Sequence, residues 1–419
     1  MEKTNHVLLD PVLKLGADFL GWRHIGGGQG LLKALSCPDD IIPVLEAADL
    51  RGMGGAGFPT WRKWAAAAAM DGQSKYVVCN GNEDEPGTFK DRHLLRWTPH
   101  QVIEGALIAA VAVKADRVIF YVNPHQTDGI AEMRNAVAKW YGSDLLAGAE
   151  RVVGREIRLD VIASSGLYIG GEETAIVSWL NHGFPFPSRK PPFPFEKGVC
   201  GLSTLINNTE TLANVPHILK NGADWYRALG IGAAAGTKLF SLSGDVLNPG
   251  LYELPMGTTL KDLVFKHGGG VLGGRAFKAV FTGGPSNTLL TVRDLDVALD
   301  FDSVRTRQSR LGTGAMIVIS EGTSIVRKVA EYVEFFANGS CGQCPSCKCG
   351  TFQMARLLER IATGRGTEAD RLALDHLCAI LPGSGRCALI DGAVTVVKSS
   401  LQTFPEEYSM QLSPRAYAS

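Results

Sequence analysis

Apolar positions in the first half of the chain alternate between two periods. Short apolar runs rich in β-branched and aromatic residues predict buried strands. They lie at 76–79, 117–122 and 157–163. Between them, the segment 102–113 is almost wholly apolar, and the segment 129–141 carries Ile130, Met133 and Val137 at helical spacing. Because strands and helices alternate, the pattern predicts an α/β domain with a parallel sheet covered by helices.

The pattern changes after residue 235. From Gly236 it predicts two short strands around the turn Asn248-Pro249-Gly250. A helix at 260–267 and a strand at 278–281 complete a small α+β domain, and from Thr323 apolar residues recur at helical spacing. We therefore expect three domains: an α/β domain at 1–235, a small α+β domain at 236–320 and a mostly helical domain at 321–419.

Composition and charge exclude several classes of function. The chain has 419 residues, and 42 basic side chains balance 42 acidic ones, which gives no support to disorder or nucleic-acid binding. No apolar run reaches the roughly 18 residues of a membrane span, and the start MEKTNHVLLD lacks the pattern of a signal peptide. We expect a cytoplasmic protein without direct membrane insertion, either free or peripheral on a membrane-bound complex.

Six of the nine cysteines lie in the last quarter of the chain, which favours metal ligation over disulfides. Cys341, Cys344 and Cys347 are spaced so that one tight turn can present three thiolates to one metal centre. The fourth ligand is open among three later cysteines, Cys349, Cys378 and Cys387. The spacing favours a [4Fe–4S] cluster over zinc. Such a cluster takes electrons singly, so a flavin is the usual converter upstream of it.

A glycine-rich loop at 52–57 fits the pattern G-x-G-x-x-G. A dinucleotide fingerprint needs a strand directly before it, whereas the segment 44–50 has a helical pattern, so a standard Rossmann site is rejected. Four glycines followed by Phe58 and Lys63 instead offer a backbone that a phosphate or a flat ring can approach, with a cation beside it. A plain glycine-rich turn is the alternative interpretation.

Two loops rich in amides and carboxylates follow predicted strands, at 80–88 and at 170–174. Ligands of open α/β sheets bind beyond the carboxyl ends of the strands, and such groups suit sugar hydroxyls and the edge of a heterocycle. Solvated acidic loops are the alternative. The segment 190–194 offers an aromatic ring and a cation that can stack on a base. A linker is the alternative interpretation of this segment. The segment 207–211, read alone, is typical of a helix N-cap.

Seven blocks follow in one order along the chain: RGMGGAGFPTWRKW, VVCNGNEDEPGTFKDR, YIGGEETA, RKPPFPFEKGVCG, INNTETLANVP, SCGQCPSCKCG and CALIDGA. In this order they resemble the NADH-binding flavoprotein subunit of respiratory complex I and the related diaphorase subunits of NAD-reducing hydrogenases and NAD-dependent formate dehydrogenases. The resemblance implies FMN rather than FAD, NAD(H) as substrate and one [4Fe–4S] cluster. It also implies a nucleotide-binding α/β domain that is not a standard Rossmann fold, then a ubiquitin-like (β-grasp) domain and a helical bundle carrying the cluster.

The resemblance assigns site residues by motif position. Those that match flavin contacts are Gly54, Lys63, Asn80, Asn82, Glu172, Asn207, Asn208 and Thr211. Those that match nucleotide contacts are Phe58, Glu85, Glu173, Lys190 and Phe193. The implied cluster ligands are Cys341, Cys344, Cys347 and Cys387. No side chain is implied as nucleophile or general acid, because hydride passes between cofactors that Glu85 positions. In the family, the carboxylate at the position of Glu173 accepts a hydrogen bond from the adenosine ribose hydroxyl. A 2′-phosphate there would meet a like charge, so we expect NAD rather than NADP.

Several positions depart from the family's usual residues. Asn82 replaces Asp, Met53 replaces Arg, Ala66 replaces Phe, Cys349 replaces Glu, and Trp61-Arg62 replaces Gly-Leu. At position 82 a hydrogen-bond acceptor stays but a charge is lost. At position 66 an aromatic wall is lost, which leaves adenine stacking to Phe58 and Phe193, with Trp61 as a substitute. These departures indicate a divergent member that serves a partner other than the standard respiratory complex.

Together these features predict an NADH:acceptor oxidoreductase (diaphorase) subunit that passes electrons between NAD(H), a flavin and a [4Fe–4S] cluster. The expected partners are a small [2Fe–2S] subunit and a larger catalytic or electron-transfer subunit, with no nucleic acid. The direction of electron flow and the terminal donor or acceptor stay open. The alternative is a scaffold subunit that binds zinc at its cysteines and has a degenerate, empty nucleotide pocket.

Overall fold

The structure is a computed structural model, which describes residues 6–72 and 74–412. Its first four α-helices are short: α1 (Phe19–His24), α2 (Gln29–Ser36), α3 (Ile41–Ala47) and α4 (Thr60–Ala68). Asp18 begins α1 by accepting a hydrogen bond from the backbone N–H of Gly21 at 3.0 Å. Helix α3, and not a strand, precedes the glycine loop, as the sequence predicts.

Alternating strands and helices follow. In chain order they are β1 (Tyr76–Gly81), α5 (Asp91–Trp97), α6 (Pro99–Val113), β2 (Arg117–Val122), α7 (Thr127–Trp140), α8 (Asp144–Val153), β3 (Arg158–Ala163), α9 (Glu173–His182), β4 (Thr204–Asn208), α10 (Thr209–Asn221) and α11 (Ala223–Arg227). Helix α6 begins with Pro99 at its first position and is buried along nearly its whole length, which explains its apolar sequence.

The four strands form one parallel sheet in the order β3-β2-β1-β4. Helices α6 and α10 contact β1 from the main core, and α9 lies on the opposite face, where Ile176 packs with Val78 and Ile119. The chain builds outward from β1 to β3 and then returns to the other side of β1 as β4. The sheet therefore has a topological switch point between β1 and β4, which is where open α/β sheets bind ligands.

A second sheet begins at residue 237. It contains β5 (Thr237–Gly244), β6 (Gly250–Pro255), β7 (Phe277–Thr282), β8 (Leu289–Thr291) and β9 (Ala315–Ser320), with helix α12 (Phe301–Thr306) before β9. The order is β6-β5-β9-β7-β8, with β5 and β9 parallel and the other neighbours antiparallel. The predicted ubiquitin-like domain is thus confirmed. The helix predicted at 260–267 is a short π-helical segment, Asp262–His267.

The last region is helical. Its elements are α13 (Ile325–Gly339), α14 (Pro345–Ala362), α15 (Glu368–Ile380), α16 (Leu389–Thr403) and α17 (Pro405–Met410). The apolar stripe of α13, which includes Val329 and Val333, is buried in a core shared with α14 and α16. The fold class is confirmed, whereas the boundaries at residues 235 and 320 stay a prediction. Within the described residues, no helix combines the length and the apolar character needed to cross a membrane.

Candidate functional site

The carboxyl ends of β1 and β4 bring two asparagines together. Asn80 and Asn208 are partners in the parallel register, each near the end of its strand. Asn208 also begins α10, because its Oδ1 accepts a hydrogen bond from the backbone N–H of Glu210 at 3.0 Å. The N-cap interpretation of this segment is therefore correct for Asn208, and the same residue lies at the switch point of the sheet.

The glycine loop lies against these asparagines. The backbone N–H of Met53 donates to Thr211 Oγ1 at 2.8 Å, which attaches the loop to α10. A Cβ atom at Gly54 would lie 2.9 Å from Asn208 Cβ, so a larger residue would displace that side chain. A Cβ atom at Gly171, in the second polar loop, would lie 3.2 Å from a carbonyl oxygen of the first polar loop. Bare backbone from two loops thus borders the switch point, which fits the phosphate and flat ring of a flavin nucleotide.

A cavity of about 210 Å³, here called the sheet-edge cavity, opens at this edge of the sheet. The predicted cofactor residues that line it are Gly54, Phe58, Lys63, Asn80, Glu173, Asn207, Asn208 and Thr211. Some of these side chains are fixed by the protein itself, since Asn207 Oδ1 accepts a hydrogen bond from the indole N–H of Trp64 at 2.9 Å. Such hydrogen bonds within the protein orient the lining side chains before a ligand binds.

Lysines and carboxylates alternate in a chain of ion pairs that starts at the wall of this cavity. Lys63 Nζ lies 3.0 Å from Glu173 Oε2. Lys190 is paired with Glu173 as well, and its Nζ lies 3.3 Å from Glu172 Oε1. Burial alone would raise the pKa of Glu173, but Lys63 and Lys190 outweigh burial and hold that pKa below its usual value. Glu173 is therefore ionised at neutral pH, between two cations.

A larger cavity of about 420 Å³ adjoins the first, and it is called the interdomain cavity because three regions line it. The two cavities share Gly54, Asn80, Gly171 and Asn208. From the α/β region, the predicted residues Asn82, Glu85 and Glu172 line it. Ser286 comes from the β-grasp region, and Cys387 comes from the helical region. The predicted flavin contacts therefore all lie in these two adjoining cavities.

Two hydroxyl groups hold Glu85 in the interdomain cavity. Tyr168 Oη donates to Glu85 Oε2 at 2.7 Å, and Ser286 Oγ donates to Oε1 at 3.0 Å. Burial raises the pKa of Glu85 to about 7, although these hydrogen bonds lower it in part. A carboxyl group with this pKa changes its charge near neutral pH, which is typical of functional sites.

Two predicted nucleotide contacts line neither cavity. Lys190 reaches the wall only through its ion pairs with the two glutamates. Phe193 stacks on Phe195, with ring centroids 5.4 Å apart and ring planes at 6°. Trp61 lies outside both cavities too, and the guanidinium of Arg62 covers its ring at 5.3 Å. Of the proposed aromatic walls, only Phe58 lines the sheet-edge cavity.

A third cavity, called the cysteine cavity, is lined by Cys341, Cys344, Cys347 and Cys387. Pro345 takes the first position of α14, so Cys344 precedes the helix and Cys347 lies in its first turn. This sharp entry places the three cysteines of the motif around one space. The two rival cysteines lie elsewhere, since Cys349 is exposed and Cys378 is buried in the helical core.

The cysteine cavity offers four thiols, which is the ligand set of a [4Fe–4S] cluster, in which each cysteine binds a different iron. Thiolates also bind zinc, so the lining residues by themselves fit a soft metal centre of either kind. Burial raises the pKa of Cys387 to about 11 and raises that of Cys347, so a cationic centre is needed to hold them as thiolates.

The three cavities adjoin one another in series. The interdomain and cysteine cavities share Ile169, Cys387 and Leu389. Beside this junction, the Tyr168 ring packs against Phe335 and Phe336 of α13, with centroid distances of 5.2 and 5.6 Å. The sheet edge, where nucleotides are predicted, and the cysteines therefore lie at the two ends of a series of adjoining cavities.

Tyr168 and Ser286 are site residues that the sequence does not single out. Tyr168 is the first residue of the block YIGGEETA, and this position in the block is the available signal. Ser286 follows β7, and only the packing of the β-grasp sheet on the α/β region brings it to Glu85. No local pattern indicates that contact.

Three family profiles match the chain, in the order of its three regions. The Nuo51 FMN-binding domain matches residues 45–217. The SLBB domain matches residues 239–287. The NADH-ubiquinone oxidoreductase-F iron-sulfur binding region matches residues 327–411.

Complete proteins and solved structures agree with these matches. The chain is 39% identical over 416 residues to an F-type subunit of the NADH-quinone oxidoreductase of Rhizobium meliloti, covering 97% of this chain and 99% of that protein. It is 37% identical to the NADP-reducing hydrogenase subunit HndC of Solidesulfovibrio fructosivorans, covering 95% and 81%. A chain of the NAD⁺-reducing [NiFe]-hydrogenase in the H₂-reduced state superposes with a TM-score of 0.84 at 33% identity, covering 95% of this chain and 67% of that one.

A flavin-binding α/β region in contact with a β-grasp sheet and a four-cysteine helical region defines a class of redox subunits that pass electrons between NAD(H), FMN and a [4Fe–4S] cluster. Within that class, the chain belongs to the family of F-type subunits of NADH-quinone oxidoreductases and their hydrogenase relatives. FMN and a [4Fe–4S] cluster are its cofactors, and NADH is its substrate. These relatives are subunits of larger enzymes, and none of them supports the zinc-scaffold alternative.

Proposed function

We propose that the sheet-edge and interdomain cavities together hold FMN and the nicotinamide nucleotide, and that the cysteine cavity holds the cluster. The observation that carries this proposal is the set of shared lining residues that joins the three cavities in series. When bound, these groups supply hydride transfer at the flavin and one-electron transfer at the cluster. The protein binds and orients them and needs no nucleophile or general acid of its own.

The flavin contacts in this proposal are Gly54, Lys63, Asn80, Asn82, Glu172, Asn207, Asn208 and Thr211. Backbone at Gly54 and the Lys63 ammonium suit a phosphate, whereas amides such as Asn80 and Asn208 can both donate to and accept from a ring edge or a ribityl chain. The cluster ligands are Cys341, Cys344, Cys347 and Cys387.

The nucleotide contacts in this proposal are Phe58, Glu85, Glu173, Lys190 and Phe193, with Glu85 as the positioning carboxyl. One relative is a subunit of an NADP-reducing hydrogenase, so the residue that selects NADH in this chain has to be identified. We assign that choice to Glu173, whose ionised carboxylate suits two ribose hydroxyls and repels a 2′-phosphate. This assignment agrees with NADH as the substrate.

The partners that we propose are a small [2Fe–2S] subunit and a larger catalytic or electron-transfer subunit. We propose that the chain lies in the cytoplasm, in a complex that is either cytoplasmic or membrane-bound. A partner is needed because reduced flavin has to pass its electrons on. We also propose that the first two functional regions end at residues 235 and 320, so that β5 begins the second region and α13 forms the core of the third.

An anaerobic titration tests the proposed function. The chain is reconstituted with FMN, iron and sulfide, and its absorption spectrum is followed as NADH is added. We expect the flavin bands and the broad cluster absorption both to bleach, and Cys344→Ser to abolish only the cluster contribution. A colourless protein that retains zinc and binds no flavin would support the scaffold alternative instead.

A further inference from the structure

Four charged side chains with almost no solvent exposure lie together where the β-grasp sheet meets the α/β region. They are Lys90, Asp91, Glu210 and Lys238, and their exposed fractions are 1%, 4%, 0% and 0%. Charged groups are rarely buried so completely unless they are paired. None of these four residues lies among the predicted cofactor contacts, so the cluster requires its own explanation.

Lys238 connects the β-grasp sheet to the glycine loop. It lies on β5, and its Nζ donates to Glu210 Oε2 at 3.3 Å and to the carbonyl oxygen of Met53 at 3.4 Å. The backbone N–H of Leu239 donates to the other oxygen of Glu210 at 2.8 Å. Since Thr211 already accepts from the Met53 N–H, the peptide groups on both sides of Met53 are held. Glu210 is in the first turn of α10, so one carboxylate joins that helix to the β-grasp sheet.

Lys90 extends the same cluster to the asparagine at the switch point. Its Nζ lies 2.9 Å from Glu210 Oε2 and 2.7 Å from Asp91 Oδ1. It also donates to Asn208 Oδ1 at 3.2 Å, while Asn208 Nδ2 donates to Asp91 Oδ2 at 2.7 Å. Both ends of the Asn208 amide are therefore fixed by charged partners.

The charges of these four side chains balance, with two cations and two anions, and the adjacent buried carboxylate of Glu83 is paired with Arg92. Buried ion pairs add little net stability, because desolvation offsets their attraction, but the loss of one partner leaves an uncompensated charge and is costly. Burial lowers the pKa of Lys238 to about 8 even with Glu210 beside it. The four charged side chains therefore fix the positions of the Met53 carbonyl and the Asn208 amide.

We propose that Lys238 is a positioning residue for the flavin site. By holding the Met53 carbonyl and Glu210, it sets how the glycine loop lies against α10. Through these contacts it fixes the approach of Gly54 to Asn208, between which no additional Cβ atom fits. The β-grasp sheet thus acts on flavin affinity without touching the flavin, an inference that rests on the proposed flavin contacts at Gly54 and Asn208.

The test compares two lysines of the β-grasp sheet in the reconstituted full chain. Lys238→Met removes the contact to the glycine loop. The control is Lys278→Met, since Lys278 is partly buried, with 9% of its side chain exposed, but pairs with Glu407 and donates to the carbonyl of Thr323 at 2.9 Å, away from the cavities. FMN binding to the flavin-free protein is measured by fluorescence quenching, together with the flavin midpoint potential and the iron content.

Lys238→Met is expected to raise the FMN dissociation constant about tenfold, while Lys278→Met changes it by less than about twofold. Lys238→Arg, which keeps a donor cation, is expected to restore most of the affinity. Iron content stays unchanged in all three, and only Lys238→Met shifts the flavin potential. Equal weakening by Lys238→Met and Lys278→Met would mean general destabilisation and would overturn the inference.

The double variant Lys238→Met with Glu210→Gln guards against misfolding, because it removes one cation and one anion and leaves the buried cluster neutral. It is expected to fold and still to bind FMN weakly, since the Met53 carbonyl lacks its donor. If the double variant or Lys238→Met binds FMN with wild-type affinity, the inference about Lys238 is wrong, while the proposed function is unaffected. A wild-type chain that binds no FMN contradicts the proposed function itself.

Discussion

The Tyr168 hydroxyl donates a hydrogen bond of 2.7 Å to Glu85 Oε2. The ring of the same tyrosine packs against Phe335 and Phe336 on the helix that leads into the cysteine motif. One side chain therefore touches the carboxyl group of the interdomain cavity and the scaffold of the cysteine cavity. Any change in the charge or contacts of Glu85 therefore occurs close to the junction of the interdomain and cysteine cavities.

The first prediction concerns the pH dependence that Glu85 imposes. Burial raises its pKa to about 7, so it is mostly protonated at pH 6 and mostly ionised at pH 8. The ionised form attracts the positively charged ring of NAD⁺, so the inhibition constant of NAD⁺ should fall by up to about tenfold from pH 6 to pH 8. Glu85→Gln should remove that dependence. Tyr168→Phe should move the midpoint to higher pH, because the Tyr168 hydrogen bond lowers the pKa. An unchanged pH profile in Glu85→Gln would exclude Glu85 as its source.

The second prediction concerns the choice between NAD and NADP. Glu173 is paired with both Lys63 and Lys190. Glu173→Gln removes the like charge and leaves two ammonium groups for a 2′-phosphate, so the ratio of kcat/KM for NADPH to that for NADH should rise roughly 10- to 100-fold. Asp128→Asn, which removes a surface carboxylate paired with Arg96, is the control and should leave the ratio unchanged. A constant ratio in Glu173→Gln would place the selectivity elsewhere.

The third prediction concerns Asn82, where the family usually has Asp. Asn82 Nδ2 donates to Asp84 Oδ2 at 3.0 Å and to the carbonyl of Leu167 at 3.3 Å. Asn82→Asp would set acceptor against acceptor and lower the free energy of unfolding by about 1–3 kcal/mol at pH 8. The introduced carboxyl would have a raised folded-state pKa, so the loss should shrink as the pH falls and the group becomes a donor.

Urea unfolding of the flavin-free chain at pH 8 and pH 5 measures this effect. The double variant Asn82→Asp with Asp84→Asn restores one donor and one acceptor across the same contact, and it should recover most of the lost stability. Equal stability of wild type and Asn82→Asp at both pH values would show that the amide donor at position 82 does not matter.

The fourth prediction separates the cluster ligands from the other cysteines. Cys387→Ser should lose most of the iron, because Cys387 lines the same cavity as the three motif cysteines. Cys349→Ser should retain it, since Cys349 is exposed on α14. Iron and acid-labile sulfide in anaerobically purified protein are the measurement. Loss of iron in Cys349→Ser, with retention in Cys387→Ser, would reverse the assignment.

Much of the sheet and of its site could be predicted from the sequence. Apolar runs indicate β1, β2 and β3 to within about two residues, because buried parallel strands are apolar on both faces. The polar residues that follow β1 and end β4, such as Asn80 and Asn208, then meet at one edge because parallel strands end together. The motif cysteines surround one space because Pro345 begins α14 directly after Cys344.

Contacts between regions could not be predicted in this way. Lys238 lies in a strand of ordinary pattern, and its burial follows from how the β-grasp sheet packs on the glycine loop. Ser286 reaches Glu85 through the same packing. The stacking of Phe193 on Phe195 depends on a loop conformation that no periodicity describes. Neighbours far apart in sequence are set by tertiary packing, and a single sequence carries no direct signal for them.

The central claim is that electrons from NADH reach the cluster held by the four cysteines of the cysteine cavity. Electron paramagnetic resonance of the anaerobic, reconstituted chain after addition of NADH tests it most directly. We expect the signal of a reduced [4Fe–4S] cluster in the wild type, and no such signal in Cys344→Ser although NADH still bleaches the flavin. A wild-type sample with full FMN and iron that gives no cluster signal after NADH would show that electrons do not reach the cluster.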